Sequence, residues 1–358
     1  MSLRAKAAQK FGARAPLWLY TCLGLRSVVD RQGENAMKLW KLLLVAGAIA
    51  QMNSLGLLSG ETLNPRTVPQ VAPMTPQEKK NLDTVLTWWR EVVYAGHAER
   101  AAKYMAEDFI EHSPNLSTGR AGFAASVSKT TRPMNAIPAT LDEPPAVMAA
   151  KGDYVWFLIE KKESDPHDAS RTYYSDVMQL VRLENGKIQE HWDSARRMPG
   201  TGPVTQGVSP KPAMQWNTGI LSQEEEQTLL VATTEFKDIL QNAHMELAAN
   251  FLHPDYLQHN PNFPQGREAL IRVMRQRPGR RAGEEKPITG VWPDPPFLTL
   301  VNGPYSMMVW ERTAKDPNDP AKEYKWYHYD MVRVDNAVVR EHWDEFQLNP
   351  PPVTANKQ

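Results

Sequence analysis

Two stretches of the chain share one order of hydrophobic and polar positions, with helical spacing first and strand alternation afterwards. Each begins with a capping box, Thr75 with Glu78 in the first and Ser222 with Glu225 in the second. Apolar residues then recur at intervals of three and four, which predicts an amphipathic helix. They are Leu82, Val85, Leu86, Trp89, Val92 and Val93, and in the second stretch Leu229, Ala232, Phe236, Ile239 and Leu240.

Two further helices and then four strands are predicted in each stretch. The helices are predicted at Ala98–Met105 and Ala121–Ser128, with counterparts at Met245–Leu252 and Glu268–Arg275. The strands of the first stretch are predicted at Ala146–Ala149, Tyr154–Lys161, Tyr173–Leu183 and Lys187–Asp193, and the second stretch has matching runs. Helices followed by consecutive strands predict the α+β class, in which three N-terminal helices pack on a curved, mainly antiparallel sheet and leave one pocket.

An internal duplication explains the shared pattern. Leu180–Asp193 and Met331–Asp344 are identical at seven of fourteen positions and both end in Glu-His-Trp-Asp. The motif "DFIEHSPNLSTGR" also aligns with "DYLQHNPNFPQGR", which lies 147 residues later. A period of about 150 residues is too long for a solenoid repeat and predicts two tandem cone-shaped domains.

The domain boundaries follow from composition. The domains are predicted at 75–198 and 222–349. The segments 51–74 and 199–221, which are rich in Pro, Gly and Thr, are predicted to be linkers, and 350–358 is predicted to be a tail.

The first 50 residues have the features of a targeting region. From Met37, two lysines precede the apolar run Leu42–Ala50, which ends in Ala-Ile-Ala. This order predicts a secretory signal that is cleaved before Gln51, and a secreted or periplasmic protein with no stable membrane insertion after processing. Since residues 1–36 are basic and poor in acids, an organelle transit segment is the alternative.

Composition narrows the set of partners. The 41 basic residues balance 41 acidic ones, so no field of one sign indicates nucleic acid as a partner. The densest basic patch surrounds a Pro-Gly pair, and both a solvated loop and a clamp for an anionic ligand remain open for it. The patch consists of Arg272, Arg275, Arg277, Arg280 and Arg281.

One predicted strand of the second stretch carries candidate chemistry. Since alternate side chains of a strand share a face, Trp326, His328 and Asp330 are expected to lie on the same side as two valines. Burial among apolar neighbours would raise the pKa of the carboxylate and make it a base near neutral pH. The first stretch has Val177 and Gln179 at the positions of His328 and Asp330, so catalysis there is not expected.

The combination of helices, "HNPN", "GRE", strands and "EHWD" resembles the SnoaL-like polyketide cyclase family, within the superfamily of nuclear transport factor 2. The resemblance covers 75–196 and 222–348, once per half. It implies ring closure by intramolecular aldol condensation, without a metal or an organic cofactor. It also implies that Asp330 is the acid/base residue, and we expect His328 and His259 to steady an enolate oxygen. Expected ligand contacts are Trp326, Asn260, Trp310, Glu311 and His342.

Residues retained in both halves are expected to serve the fold first. His112 and His259 either orient a carbonyl group or bond to backbone carbonyls and fix a loop. Trp192 and Trp343 are expected to pack between sheet and helix. The neighbouring His191, His342, Asp193 and Asp344 are expected to anchor the last strand. A metal site is not predicted, because no third ligand follows at a usual spacing.

Two functions follow from these patterns. The first is cofactor-free acid/base chemistry of the aldol, cyclase or isomerase type on a small carbonyl compound, for example a polyketide-like molecule. The second is non-catalytic binding of an apolar metabolite. In either case the partner is a small molecule, and the two domains are expected to pair as an internal pseudo-dimer.

Overall fold

A computed structural model describes residues 62–209 and 219–349. The predicted targeting region, the linker up to residue 61, residues 210–218 and the predicted tail lie outside the described residues. Below, the first half denotes residues 75–198 and the second half residues 222–349.

Each half begins with three helical segments. In the first half, α1 (Pro76–Trp88) continues as a π-helical turn (Trp89–Tyr94). A 3-10 turn (Ala98–Arg100) then leads into the short helix α2 (Ala101–Tyr104), and α3 covers Arg120–Thr130. In the second half, α4 (Gln223–Thr233) continues as a π-helical turn (Thr234–Gln241), Met245–Leu247 leads into α5 (Ala248–Phe251), and α6 covers Arg267–Arg275. Both predicted capping boxes are formed.

Two mainly antiparallel sheets follow the duplication. The strands of the first sheet are β1 (Gln70–Val71), β2 (Met105–Glu111), β3 (Val147–Lys151), β4 (Tyr154–Ser164), β5 (Thr172–Glu184) and β6 (Lys187–Asp193), in the spatial order β1-β3-β4-β5-β6-β2. The second sheet contains β7 (Leu252–Gln258), β8 (Leu298–Asn302), β9 (Tyr305–Asp316), β10 (Asp319–Asp335) and β11 (Val338–Asp344), in the order β7-β11-β10-β9-β8. The α+β class predicted from the sequence is confirmed.

The strands β2 and β7 were missed by the sequence patterns. Each pairs in parallel with the last strand of its half, β6 or β11, directly after the short second helix. Alternation is broken in both strands, because Glu107 and Pro254 are exposed at positions where a buried residue would be expected. These strands carry the His-x-Pro-Asn segment to the edge of the sheet, next to Glu-His-Trp-Asp.

The two faces of each sheet have different partners. One face packs against the helices of its own half, for example through Met308 and Val332 in the second half. The opposite faces of the two sheets contribute to one buried hydrophobic cluster, which includes Trp192 of β6 and Trp343 of β11. The expectation that these tryptophans pack between sheet and helix is therefore wrong, because the alternation of the last strand turns Trp away from the helices and His toward them.

The segments predicted as linkers contain ordered chain that crosses from one half to the other. Before the first half, Asn64 donates to the carbonyl of His259 at 2.6 Å, and Thr67 Oγ1 accepts from Trp343 Nε1 at 2.9 Å. Before the second half, Gln206 donates to the carbonyl of His112 at 2.8 Å. The described parts of these two stretches, 62–74 and 199–209, thus contact both halves, since Gln206 Nε2 also donates to the carbonyl of Lys325 at 2.7 Å.

Among the described residues, none of the helices has the length and apolar character needed to cross a bilayer.

Candidate functional site

A pocket of about 300 Å³ lies between the helices and the sheet of the second half. Phe236, Phe263 and Leu270 contribute apolar walls. Its floor is formed by polar side chains of β7, β10 and β11, namely Tyr256, Gln258, Asn260, His328, Asp330, His342 and Asp344. The sequence alternation on β10 is confirmed, since His328 and Asp330 face this pocket whereas Tyr327 and Tyr329 face the other sheet.

Asp330 lies between two imidazoles. His328 Nε2 is 3.0 Å from one carboxylate oxygen, and His342 Nε2 is 3.0 Å from the other. Each ring also uses its second nitrogen with a carboxylate, because His328 Nδ1 lies 2.9 Å from Glu345 and His342 Nδ1 lies 3.2 Å from Glu235. The result is a chain of alternating carboxylates and imidazoles along the pocket floor.

This arrangement determines the protonation of the chain. Burial alone would lower the pKa of His342, but the hydrogen bonds and charges of Asp330 and Glu235 outweigh it and raise that pKa to about 10. The pKa of His328 is likewise raised, despite burial, by Asp330 and Glu345. Both rings are therefore imidazolium cations at neutral pH.

The expected rise in the pKa of Asp330 is wrong. Burial does act in that direction, but the charge of His328 and the hydrogen bonds from His328 and His342 hold the pKa of Asp330 well below its usual range. The sequence shows His328 two residues from Asp330, but it does not show that His342 of the neighbouring strand also contacts this carboxylate. Asp330 is thus a fixed anion rather than a group that titrates near neutral pH.

Asp344 is the carboxyl group whose pKa lies near neutrality. It is the direct cross-strand partner of Asp330 and accepts a hydrogen bond of 2.8 Å from Asn260 Nδ2. Burial raises its pKa to about 7, and the charges of Asp330 and Glu345 act in the same direction against His342. The sequence interpretation gave Asp344 only the task of anchoring the strand. The alternation of Glu-His-Trp-Asp, with His342 and Asp344 on one face, is the signal that could have placed it in the pocket.

The other expected site residues divide between the pocket and its surroundings. Trp310 and Asn260 line the pocket with His342. Trp326 does not line the pocket; its ring lies 6.3 Å from that of His328, and the Arg196 guanidinium lies 3.9 Å from the centre of the Trp326 ring. Glu311 does not line the pocket, because it follows Trp310 along β9 and points to the opposite face, where it pairs with Lys325 at 2.7 Å.

His259 lies outside this pocket. Its ring stacks on Trp343 at a centroid distance of 4.8 Å, and its nitrogens contact Glu341 and Thr67, each at 3.2 Å. His112 of the first half repeats the arrangement, stacked on Trp192 at 4.4 Å and paired with Glu190 at 3.1 Å. His259 is therefore not positioned to steady the enolate oxygen of a ligand in the pocket that contains Asp330.

The first half has a smaller cavity of about 210 Å³ at the equivalent position. Its walls are mostly apolar, and they include Trp89, Phe123 and Val177. Gln179 takes the place of Asp330 and lies 2.8 Å from His191 Nε2 through its amide oxygen. An amide neither accepts nor releases a proton in this pH range, so the floor lacks an anionic base at this point.

The carboxylate behind the shared histidine comes from a different element in each half. In the first half, Glu111 of β2 lies 2.9 Å from His191 Nδ1, while Trp88 of α1 packs edge-on against the ring. In the second half, Glu235 on the first helix replaces Trp88, and Gln258 on β7 replaces Glu111. The charge balance of the histidine is thus retained although neither position keeps its residue.

Three groups in the pocket have candidate metal-ligand atoms within 4.8 Å of one another, namely Asp330, His342 and Asp344. The spacing along the sequence did not reveal this group, because its members converge from two strands. However, both nitrogens of His342 already donate to carboxylates, and Nε2 would have to lose its proton before binding an ion. The hydrogen bonding in the floor fits an imidazolium better than a metal ligand.

No family model matches the chain, and no curated protein matches it. Among solved structures, it is similar to a candidate polyketide cyclase from Acidithiobacillus ferrooxidans, with 18% identity, a TM-score of 0.24 and coverage of 34% of this chain and 89% of that one. It is also similar to a protein like nuclear transport factor 2 from Mesorhizobium loti, with 14% identity, a TM-score of 0.25 and coverage of 35% and 96%.

A third similar structure is a protein of ketosteroid isomerase-like fold from Catenulispora acidiphila in complex with trimethylamine, with 16% identity, a TM-score of 0.23 and coverage of 34% and 87%. Each of these matches spans about a third of the present chain. The solved structures to which the chain is similar are thus of the kind that its sequence resembles, SnoaL-like polyketide cyclases and proteins like nuclear transport factor 2.

Proposed function

We propose that the pocket of the second half carries out cofactor-free proton transfer on a small carbonyl compound, of the aldol, cyclase or isomerase type. The observation that carries this proposal is the pair of adjacent carboxyl groups whose pKa values are driven in opposite directions, Asp330 below and Asp344 above the usual range. Two titratable groups separated in this way have the properties of a base and an acid at the same pH.

The roles follow from the protonation states. Asp330 is ionised at neutral pH and accepts a proton from the carbon next to the carbonyl group. Asp344 is partly protonated and donates a hydrogen bond to the carbonyl oxygen, so that charge developing on the enolate oxygen is stabilised. His328 and His342 keep Asp330 ionised and in place. A low pKa weakens a base, so the gain here lies in orientation and in a base that needs no prior deprotonation.

The reaction is completed in one of two ways. In an aldol condensation the enolate carbon attacks a second carbonyl carbon, and the alkoxide oxygen formed there takes up the proton held by Asp330. In an isomerisation a different carbon takes back that proton. Both outcomes fit a small molecule like a polyketide, which carries several carbonyl groups. Asp344 takes the part in oxygen stabilisation that the sequence assigned to His328 and His259.

The test is exchange of the hydrogens next to a ketone for deuterium in heavy water, followed by proton NMR. Benzoylpropionate and its neutral amide serve as probes, and each is measured with and without EDTA. Exchange catalysed by the protein above the buffer rate supports the proposal. A rate equal to that of buffer for both probes contradicts it, and activity that disappears with EDTA indicates a metal-dependent reaction instead.

The alternative function is non-catalytic binding of an apolar metabolite. It is favoured by the first-half cavity, whose walls are mostly apolar and whose floor contains Gln179 in place of a carboxylate. If saturable binding to that cavity is found together with no exchange in the second half, binding replaces catalysis as the function.

We also propose that the two halves form an internal pseudo-dimer and that the mature chain is secreted or periplasmic. The buried cluster shared by the two sheets supports the pseudo-dimer. The basic and apolar segment from Met37 motivates export, with processing before Gln51. Mass spectrometry of protein from the native host tests the second point, since peptides from 2–35 in the soluble cytosolic pool would contradict it.

A further inference from the structure

Two arginines line the wall of the second-half pocket. Arg277 and Arg280 stand at the first and last positions of a turn, closed by a 3.1 Å hydrogen bond from the amide of Arg280 to the carbonyl of Arg277. Pro278 follows Arg277, and Gly279 has a φ of +74°, as a type II turn requires at its third position. The turn therefore holds both side chains close to each other and to the pocket.

Neither guanidinium has a carboxylate partner within the described ranges 62–209 and 219–349. Their neighbours do, since Arg275 pairs with Glu285 at 2.6 Å and Arg312 pairs with Asp294 at 2.5 Å. Arg277 lies over the ring of Phe263, 4.6 Å from its centroid. Arg280 Nη1 is buried and has no hydrogen-bond partner.

The absence of a carboxylate partner is unfavourable for the buried part of Arg280. Burial lowers the pKa of Arg280, and the charge of Arg277 lowers it further. A buried donor without a partner is unfavourable, and more so when it is charged. Of the two interpretations open for this basic patch, a solvated loop does not account for a buried, unpaired nitrogen at the pocket wall.

We infer that the ligand of this pocket carries a carboxylate that Arg277 and Arg280 bind, which makes its substrate a keto acid. The acid part stands on the arginines alone, whereas the keto part rests on the proposed function. The arginines orient such a ligand, because the carboxylate of Asp330 on the floor is already paired with His328 and His342, whereas Arg277 and Arg280 on the wall have no carboxylate partner within the described ranges. The carbonyl end is thereby directed toward the floor.

The first half offers an internal comparison. At the duplication offset of 147 residues, Thr130 and Pro133 stand where Arg277 and Arg280 stand. Thr130 lines the smaller cavity, and neither residue carries a charge. The smaller cavity does include one cation, Lys161 on β4, but that residue is exposed, so the pair of arginines on one turn is specific to the half that also contains Asp330.

Isothermal titration calorimetry with benzoylpropionate and its primary amide tests the inference without requiring turnover. We expect the acid to bind about 10- to 100-fold more tightly than the amide, the range for a charge-assisted hydrogen bond. Arg280→Gln should remove most of this preference and leave the affinity for the amide unchanged. Arg277→Gln should reduce it as well. Arg272→Gln is the matched control, because Arg272 belongs to the same patch but is exposed and does not line the pocket.

Equal affinity for acid and amide in the wild type would overturn the inference. So would a loss of acid binding in Arg272→Gln as large as in Arg280→Gln, which would indicate a general effect of surface charge. The Asp330→Asn variant separates the two proposals. It should lose deuterium exchange and keep the preference for the acid, so that failure of catalysis does not count as failure of anion binding.

Discussion

The carboxylate of Asp330 on β10 lies 3.0 Å from the Nε2 atom of His342 on β11. The same histidine in the first half, His191, meets the amide of Gln179 instead. The first half has Val177 and Gln179 in place of His328 and Asp330, so its floor lacks a carboxylate held between two imidazoles, although the two halves share helices, strands and the Glu-His-Trp-Asp segment. The proposed chemistry follows from this difference.

The stability of the chain should depend on pH through Asp344. Its pKa of about 7 in the folded chain is raised above the ordinary value of 3.8, so the folded state binds this proton more tightly. The stabilisation is fully present below about pH 4 and is lost as the pH rises through about 7. Relative to Asp344→Asn, the wild type should lose on the order of a few kcal/mol of unfolding free energy between about pH 5 and about pH 8.

Urea unfolding of both proteins at several pH values measures this effect. Asp193→Asn is the matched comparison in the first half, where burial raises the pKa of Asp193 to about 6. The unfolding free energy of the wild type relative to Asp193→Asn should also fall as the pH rises, and this fall should be complete at a lower pH than the one due to Asp344. A constant difference between wild type and Asp344→Asn across the range would contradict the raised pKa.

Thr67→Val should destabilise the chain by about 1–3 kcal/mol, because it leaves a buried donor without a partner. The hydroxyl of Thr67 accepts from Trp343 Nε1 at 2.9 Å and contacts His259 Nδ1 at 3.2 Å. Val68→Ala is the control, since Val68 is 75% exposed. Equal unfolding free energies for Thr67→Val and the wild type would show that the crossing segment adds nothing to stability.

Much of the fold was predictable because its determinants are local. Capping boxes depend on residues three apart, and the two faces of β10 follow from alternation alone, which put His328 and Asp330 on one side. The pKa of Asp330 was not predictable in this way, since it depends on His342 from the adjacent strand. Glu235 was also missed, because a glutamate on a predicted amphipathic helix is typical of a solvated position.

The crossing segments were missed for a related reason. Proline and glycine near Asn64 and Gln206 are typical of linkers, and the sequence does not show that these two side chains donate to the backbone carbonyls of His259 and Lys325 in the second half. Position 207 illustrates the close approach. A Cβ at Gly207 would lie 2.3 Å from a methyl group of Ile110.

The internal pseudo-dimer predicts a monomer in solution. If the inner faces of the two sheets cover each other, as the shared cluster around Trp192 and Trp343 supports, no sheet face is left for a second copy. Size-exclusion chromatography with light scattering on the mature chain should give the mass of one chain across the accessible concentration range. A stable dimer would show that another face mediates assembly.

The most direct test of the central claim compares deuterium exchange by Asp330→Asn and Gln179→Leu. If Asp330 is the base, its amide should reduce the rate of exchange next to the ketone by about 10²–10⁴-fold, the range for a general acid or base, while Gln179→Leu keeps the wild-type rate. Gln179→Leu should bind benzoylpropionate as the wild type does, and Asp330→Asn should keep the preference for the acid over the amide. An Asp330→Asn protein that exchanges at the wild-type rate would contradict proton transfer in the second half.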